Sequence, residues 1–280
     1  MQITTVGESY RPSIMFEVEK KVVLVTGGAG GIGLACVKAF LKNGAKGVAM
    51  ADVNNESGRK SLEEVQNEFG TEKVIFIQLD VSDKTQFENA FKTTIETFNN
   101  LDIVVNNAGI LNEKQWERTV AVNLNGVING TMLAFETYIP KYRTNSEGVI
   151  INIASNAGVY FFGGFAPVYT ATKHAVIGLS RSLGLDIHYQ RKKVKVISIC
   201  PGATETNMQF TTTDTFLNDD YSKLFEGHKD IVTIQSASYI AENIINIVRT
   251  AKTGSAWFIE DYETCEIDFP SKDQLRKKSA

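Results

Sequence analysis

Tyr169 and Lys173, four positions apart in Y-T-A-T-K, are the pair in this sequence best suited to moving a proton. A free tyrosine, with a pKa of about 10, is mostly protonated at neutral pH and is a poor base. A neighbouring ammonium favours the phenolate, and about 1.4 kcal/mol of such preference changes the phenolate-to-phenol ratio tenfold. On a helix the spacing of four puts both side chains on one face, about 6 Å apart along the axis. Ser155, fourteen positions before Tyr169, adds a hydroxyl able to hold a substrate oxygen and to stabilise charge developing on it. Taken singly, each has a bland reading: a serine is often a cap, and a Tyr-Lys pair often a helix surface.

The reading changes with a second constellation nearer the start of the chain. T-G-G-A-G-G-I-G, residues 26 to 33, follows the apolar run V-V-L-V and precedes the amphipathic L-A-C-V-K-A-F-L. Glycines between a strand and a helix let the backbone turn sharply and bring a pyrophosphate onto the amides of a helix N-terminus. Two registers fit: Gly28, Gly30 and Gly33 as G-x-G-x-x-G, or Gly27, Gly31 and Gly33 as T-G-x-x-x-G-x-G. No G-K-[ST] follows, so the nucleoside-triphosphate loop is not matched. Nineteen residues beyond Gly33, Asp52 ends the second apolar run. A carboxylate there accepts hydrogen bonds from adenosine ribose hydroxyls and repels a 2′-phosphate. Neither Val53 nor residues 28 to 30 supply a cation to offset that repulsion, so NAD is expected over NADP.

These residues need a scaffold that gathers them. Short β-branched runs alternate with longer helical patterns, the sign of βαβ units around a parallel sheet. Seven strands are expected at 21–26, 47–52, 73–79, 102–106, 148–154, 194–200 and 256–260, and helices at 31–43, 56–69, 83–98, 115–142, 168–190 and 236–251. The strands are apolar at consecutive positions, as befits a sheet covered on both faces. The fold class is therefore α/β, a single doubly wound Rossmann-type domain over 21–262, with an N-terminal arm at 1–20 and a C-terminal tail at 263–280. The polar, threonine-rich stretch 204–230 is long enough to be a lid. At the carboxyl ends of strands four, five and six stand N-N-A-G (106 to 109), Ala154-Ser155 and Pro201-Gly202, the edge where open α/β sheets bind ligands.

Bulk properties narrow the partners. With 29 basic and 32 acidic residues the formal charge is −3, which provides no broad positive field for nucleic acid or anionic membrane. Three scattered cysteines, Cys36, Cys200 and Cys265, imply reduced thiols and a cytoplasmic protein rather than a disulfide framework. No apolar run reaches the roughly 18 residues of a membrane span. The three histidines form no zinc pattern, so no metal is expected.

Together, T-G-G-A-G-G-I-G, Asp80-Val81, N-N-A-G, Asn123 in V-A-V-N-L, Ser155, Y-x-x-x-K and Pro201-Gly202 resemble the short-chain dehydrogenase/reductase family, in order, over roughly residues 20 to 260. The resemblance implies a catalytic tetrad of Asn123, Ser155, Tyr169 and Lys173, with Asn123 opening a helix locally and holding a proton-relay water beside the lysine. It implies that Asp80 and Val81 contact adenine, Asn107 the adenosine ribose and Thr204 the nicotinamide carboxamide. Gly27, Gly31, Ile32, Gly33, Asp52, Val53, Ala108, Gly109, Tyr169, Lys173, Pro201, Gly202 and Thr206 complete the expected NAD site. It also implies a homodimer or homotetramer.

Within the family, N-N-A-G-I-L-N-E-K-Q-W-E-R-T and P-V-Y-T-A-T-K-H-A-V-I-G resemble NAD-dependent 15-hydroxyprostaglandin dehydrogenases and their insect alcohol and retinoid dehydrogenase relatives. Two departures stand out. The Ser155 to Tyr169 spacing is one longer than the family commonly shows, so 156–168 is expected to bulge, and Ala166 stands where the prostaglandin enzymes carry glutamine. The expected substrate is an apolar, lipid-like alcohol or its ketone, held by Ser155, Phe162, Phe165, Ala166, Tyr169 and Met208. Tyr160 and Phe161 are further candidates, with Phe210, Phe216, Leu217, Leu224 and Phe225 lining the lid. A short-alcohol dehydrogenase and a non-catalytic NAD-binding scaffold are the alternatives.

Overall fold

The computed structural model describes residues 15–160, 164–206, 208, 215–227 and 233–276. Its centre is a sheet of eight strands: β1 (Val22–Thr26), β2 (Gly47–Asp52), β3 (Val74–Gln78), β4 (Ile103–Asn106), β5 (Gly148–Ile153), β6 (Val194–Pro201), β7 (Ala256–Glu260) and β8 (Glu263–Glu266). They lie in the order β3-β2-β1-β4-β5-β6-β7-β8. Pairing is parallel from β1 to β7, and β8 runs antiparallel to β7. The strand order reverses between β1 and β4, which opens a crevice at their carboxyl ends.

Consecutive apolar residues feed two cores. In β1, Val23 and Val25 face one cluster and Val22 and Leu24 the other. The first cluster takes in Val37 and Phe40 of α1 (Gly31–Lys42), Val65 of α2 (Asn55–Phe69) and Ile244 of α10 (Ala237–Thr250). The second holds Phe87 and Phe91 of α3 (Lys84–Phe98) with Phe135 and Ile139 from 116–142. Fully burying a side chain of this kind contributes about 1.5–3 kcal/mol.

Four features differ from the sequence expectation. The sheet has an eighth strand, inside the segment assigned to the tail. Within the expected N-terminal arm, Phe16 and Val18 are buried in the first core, and the Phe16 N–H donates to Arg249 O at 3.0 Å. The helix expected at 115–142 is α4 (Trp116–Val120), α5 (Val127–Met132) and α6 (Ile139–Tyr142), joined by π turns at Ala121–Gly126 and Leu133–Tyr138. The helix expected at 168–190 is divided into α7 (Pro167–Leu183) and α8 (Asp186–Lys192) at Gly184, where a Cβ would fall 2.2 Å from Gly254 Cα. Within 204–230, α9 (Asp219–Glu226) forms, capped by Asn218. No helix among the described residues is long and apolar enough to cross a membrane.

Candidate active site

The turn after β1 decides between the two glycine registers. Gly27 and Gly31 have φ of +64° and +51°, a backbone region that favours glycine. Gly33 is needed for space, since a Cβ there would meet Gly27 O at 2.0 Å and Asn107 Nδ2 at 2.6 Å. The working set is therefore Gly27, Gly31 and Gly33. Gly30, the N-cap of α1, is extended and makes no side-chain capping bond, whereas α2, α3 and α10 are capped by Asn54, Asp83 and Ser236. The first amides of α1 thus keep their affinity for an anion.

Thr26 and Asn107 staple this turn to β4. The Thr26 hydroxyl accepts from the N–H groups of Asn107 (3.0 Å) and Ala108 (3.1 Å). Asn107 Nδ2 donates to Thr26 O at 3.0 Å and Gly27 O at 3.2 Å. The amide nitrogen of Asn107, a residue for which the resemblance implies a ribose contact, here holds the glycine turn. Asp52 accepts from Ala29 N (3.1 Å) and Asn54 N (3.0 Å), so it braces the same turn and does not cap α2.

A recess beside Asp52 is lined by Val53, Asp80, Val81, Ala108, Gly109 and Ile110. Arg118, to which the sequence reading gave no role, closes it and donates to Asp80 at 2.7 Å. Burial works to raise the Asp80 carboxyl, but hydrogen bonds from Ser82 and Arg118 outweigh it and hold the group below its ordinary value.

From this recess an open cleft runs over Gly27, Gly31, Ile32, Asp52, Asn107 and Gly109 to Ser155, Tyr169, Lys173, Pro201, Gly202, Thr204, Thr206 and Met208. Its shape follows from small residues: a Cβ on Gly31 would meet Thr206 Cγ2 at 2.9 Å. An elongated cleft with a bare helix N-terminus midway and a carboxylate at one end fits a dinucleotide.

At the other end stands the tetrad. Tyr169 and Lys173 lie on α7 and are buried, as are Ser155 and Asn123. Lys173 Nζ donates to Ile153 O at 3.0 Å, and burial lowers its pKa to about 8. Burial raises the Tyr169 phenol, and a hydrogen bond with the Ser155 side chain opposes that rise. Ser155 Oγ donates to Asn156 Oδ1 at 3.0 Å. Asn123 sits in the Ala121–Gly126 π turn, a local opening of the helix of the kind that clusters at functional sites. Its side chain accepts from Ile110 N and donates to Ile110 O, both at 2.8 Å. A Cβ on Gly109 would lie 3.4 Å from Asn123 Oδ1 and 3.6 Å from Lys173 Nζ, which places this glycine between the two.

An apolar cluster adjoins the tetrad: Leu111, Phe165, Ala166, Tyr169 and Phe216, with Met208, Tyr221 and Phe225 packed on it. The Phe165 ring lies 6.1 Å from Phe216 and 5.2 Å from Phe225, edge-on to both. Of the expected substrate residues, Phe165, Ala166, Tyr169 and Met208 belong to this cluster, while Phe161, Phe162 and Phe210 lie outside the described residues. Two expectations are corrected. Tyr160 turns away to donate to Glu260 Oε1 (2.7 Å) and packs on Phe258, because that carboxylate gives its hydroxyl a partner the apolar wall lacks. Leu217 and Leu224 project to solvent, since α9 presents Tyr221 and Phe225 to the cluster. Glu113, to which the sequence reading gave no role, is buried and accepts from the N–H groups of Val168 and Tyr169.

The fold and site define a nucleotide-binding α/β dehydrogenase, and the comparisons agree. The short chain dehydrogenase family model matches residues 21–215, and the chain belongs to that family, whose members are oxidoreductases. Over 189 residues it is 43% identical to 15-hydroxyprostaglandin dehydrogenase [NAD(+)] of Rattus norvegicus, covering 68% of this chain and 70% of the relative. Fat body protein 2 of Drosophila melanogaster is 28% identical over 254 residues, covering 90% and 97%. Among solved structures, levodione reductase superposes with a TM-score of 0.74 at 25% identity, covering 86% of this chain and 96% of that one.

Proposed function

We propose that this protein is an NAD-dependent oxidoreductase that interconverts the hydroxyl and carbonyl forms of an apolar, lipid-like alcohol, with Tyr169 as the general base and acid. The observation that carries the reading is the aromatic cluster of Phe165, Phe216 and Phe225 packed beside the buried Tyr169.

NAD, when bound, supplies the acceptor for the hydride leaving the alcohol carbon. The bare N-terminus of α1 suits the pyrophosphate, Asp52 the ribose hydroxyls, and the recess between Val53 and Val81 the adenine. Tyr169 takes the hydroxyl proton, leaving a carbonyl, and returns it in the reverse direction. Ser155 holds the substrate oxygen and stabilises its charge. Lys173 favours the phenolate through its positive charge, and Asn123 keeps the π turn open beside it. The apolar wall excludes water and binds the hydrocarbon part of the substrate. Support for the lipid class comes from this wall and from the prostaglandin dehydrogenase relatives. The glutamine of those enzymes is Ala166 here, which argues for an apolar alcohol other than a prostaglandin.

The test is a screen of the purified enzyme with NAD against prostaglandins, retinoids, isoprenoid alcohols, ecdysteroids and short secondary alcohols. Each buried CH₂ contributes about 0.8 kcal/mol, so four carbons should raise kcat/KM by about 100-fold over propan-2-ol. Equal or better efficiency with propan-2-ol would reject the lipid reading in favour of a short-alcohol dehydrogenase.

A further inference from the structure

We propose that Glu113 is a positioning residue for proton transfer: its buried carboxylate fixes the first turn of α7, and with it Tyr169, to the loop after β4. The inference rests on the assignment of Tyr169 as base and acid.

The first turn of α7 can be accounted for donor by donor. Its N-cap, Ala166, has no side chain that caps, and Pro167 has no N–H. Val168 N donates to Glu113 Oε2 at 3.0 Å and Tyr169 N to Glu113 Oε1 at 2.8 Å. The Thr170 N–H then makes the first bond within the helix, to Ala166 O at 3.0 Å. The two amides that the helix cannot satisfy itself are thus taken by one carboxylate from more than fifty residues away, and one of them is the amide of Tyr169.

The cap comes from outside because position 166 is committed elsewhere. Ala166 is buried in the apolar cluster, where a serine or aspartate would put a polar group into the substrate wall. Glu113 itself is 1% exposed, and its negative charge lies against the positive end of the α7 dipole. It is tied on its other sides too. The Glu113 N–H donates to Thr215 O at 2.7 Å, next to Phe216 of the apolar cluster. The preceding carbonyl, that of Asn112, accepts from Thr119 Oγ1 at 2.7 Å and so anchors the loop to α4. Glu113 therefore joins three pieces of the site: the β4 loop, the base of the lid and the helix that carries the tyrosine.

Only a carboxylate offers two acceptors here. In Glu113→Gln one oxygen becomes an NH₂ that faces an amide N–H, so the first turn must shift, and a displacement near 1 Å at a reacting group can cost on the order of 100-fold in rate. The experiment measures kcat and KM for Glu113→Gln and Glu113→Ala, with the exposed neighbour Glu117→Gln as control, alone and combined with Tyr169→Phe. We expect kcat to fall at least about 10-fold in Glu113→Gln, with KM for NAD within about two-fold of wild type and Glu117→Gln unaffected. In the Tyr169→Phe background the same substitution should change the residual rate by less than about two-fold, since its effect passes through the phenol. Wild-type kcat in Glu113→Gln, or an equal loss with and without the tyrosine hydroxyl, overturns the proposal. If Glu113→Ala fails to fold, the glutamine variant decides. An inactive Tyr169→Phe beside a normal Glu113→Gln sinks this inference alone, whereas a fully active Tyr169→Phe removes the tyrosine assignment beneath it.

Discussion

Lys173 Nζ lies 5.4 Å from the centroid of the Tyr169 ring while it donates to Ile153 O at 3.0 Å. The lysine is held by a strand carbonyl on one side and faces the phenol on the other, in surroundings dry enough to bring its pKa to about 8. A buried ammonium is costly to the fold, and in the proposed mechanism its charge is what favours the tyrosine's phenolate.

This arrangement sets function against stability at Lys173. Its folded pKa, about 8, lies below the unfolded value of roughly 10.4, so between those pH values the unfolded chain holds more protons and stability rises with pH. The contribution is complete above the unfolded pKa and lost as pH falls through about 8. In the absence of NAD, Lys173→Met should therefore melt above wild type at pH 7, the gap should narrow toward pH 10, and turnover should be lost. Thermal unfolding at the two pH values checks it, and a variant that melts below wild type at pH 7 contradicts it.

Tyr169→Phe should leave folding and NAD binding nearly intact and remove most turnover. General acid/base groups contribute about 10² to 10⁴-fold, and the loss should fall on kcat. Pre-steady-state rates under conditions where chemistry limits turnover give the measurement. Near wild-type kcat there would show that another group moves the proton.

Asp52→Ala should weaken NAD by the value of a charge-assisted hydrogen bond, about 1.5 to 3 kcal/mol, or roughly 10 to 100-fold in Kd. NADP should be accepted better, because the carboxylate that repels its phosphate is gone. Because Asp52 also accepts from Ala29 N, some slackening of the glycine turn should accompany the change. Titrating both cofactors by fluorescence tests this, and a wild-type preference for NADP would refute it.

Two glycines should respond oppositely to alanine. At Gly33 the new Cβ would lie 2.0 Å from Gly27 O, so Gly33→Ala should lower the melting temperature sharply and abolish NAD binding. At Gly178, exposed on α7 with nothing within 4 Å of the added carbon, alanine should stabilise by up to about 1 kcal/mol through helix propensity. Denaturant melts of the two variants compare them directly, and a stabilised Gly33→Ala or a destabilised Gly178→Ala would contradict the packing described.

The elements that carry the chemistry were legible along the chain because the signals involved are local. Apolar runs such as V-V-L-V mark β1 since both faces of the strand are covered, the glycine run marks the turn because few other residues fit it, and the spacing of Tyr169 and Lys173 sets one helical face. Ser155 and Gly109 were legible from their places at strand ends and Asn123 only through motif order, and the structure gathers them around Lys173. Relationships between segments far apart in the chain emerged only on folding. Gly184 divides one expected helix in two because Gly254 lies against it, and β8 pairs with β7 at the sheet edge although E-T-C-E has no apolar alternation of its own. The choice between the two glycine registers needed backbone dihedrals that composition does not encode. Tyr160 leaves the apolar wall because Glu260, one hundred residues later, gives its hydroxyl a partner, and Glu113 is drawn inside because α7 begins with Ala166 and Pro167 and cannot satisfy its own first amides. A buried polar group must find its partner wherever the fold supplies one, and that partner is fixed by proximity in space rather than along the chain.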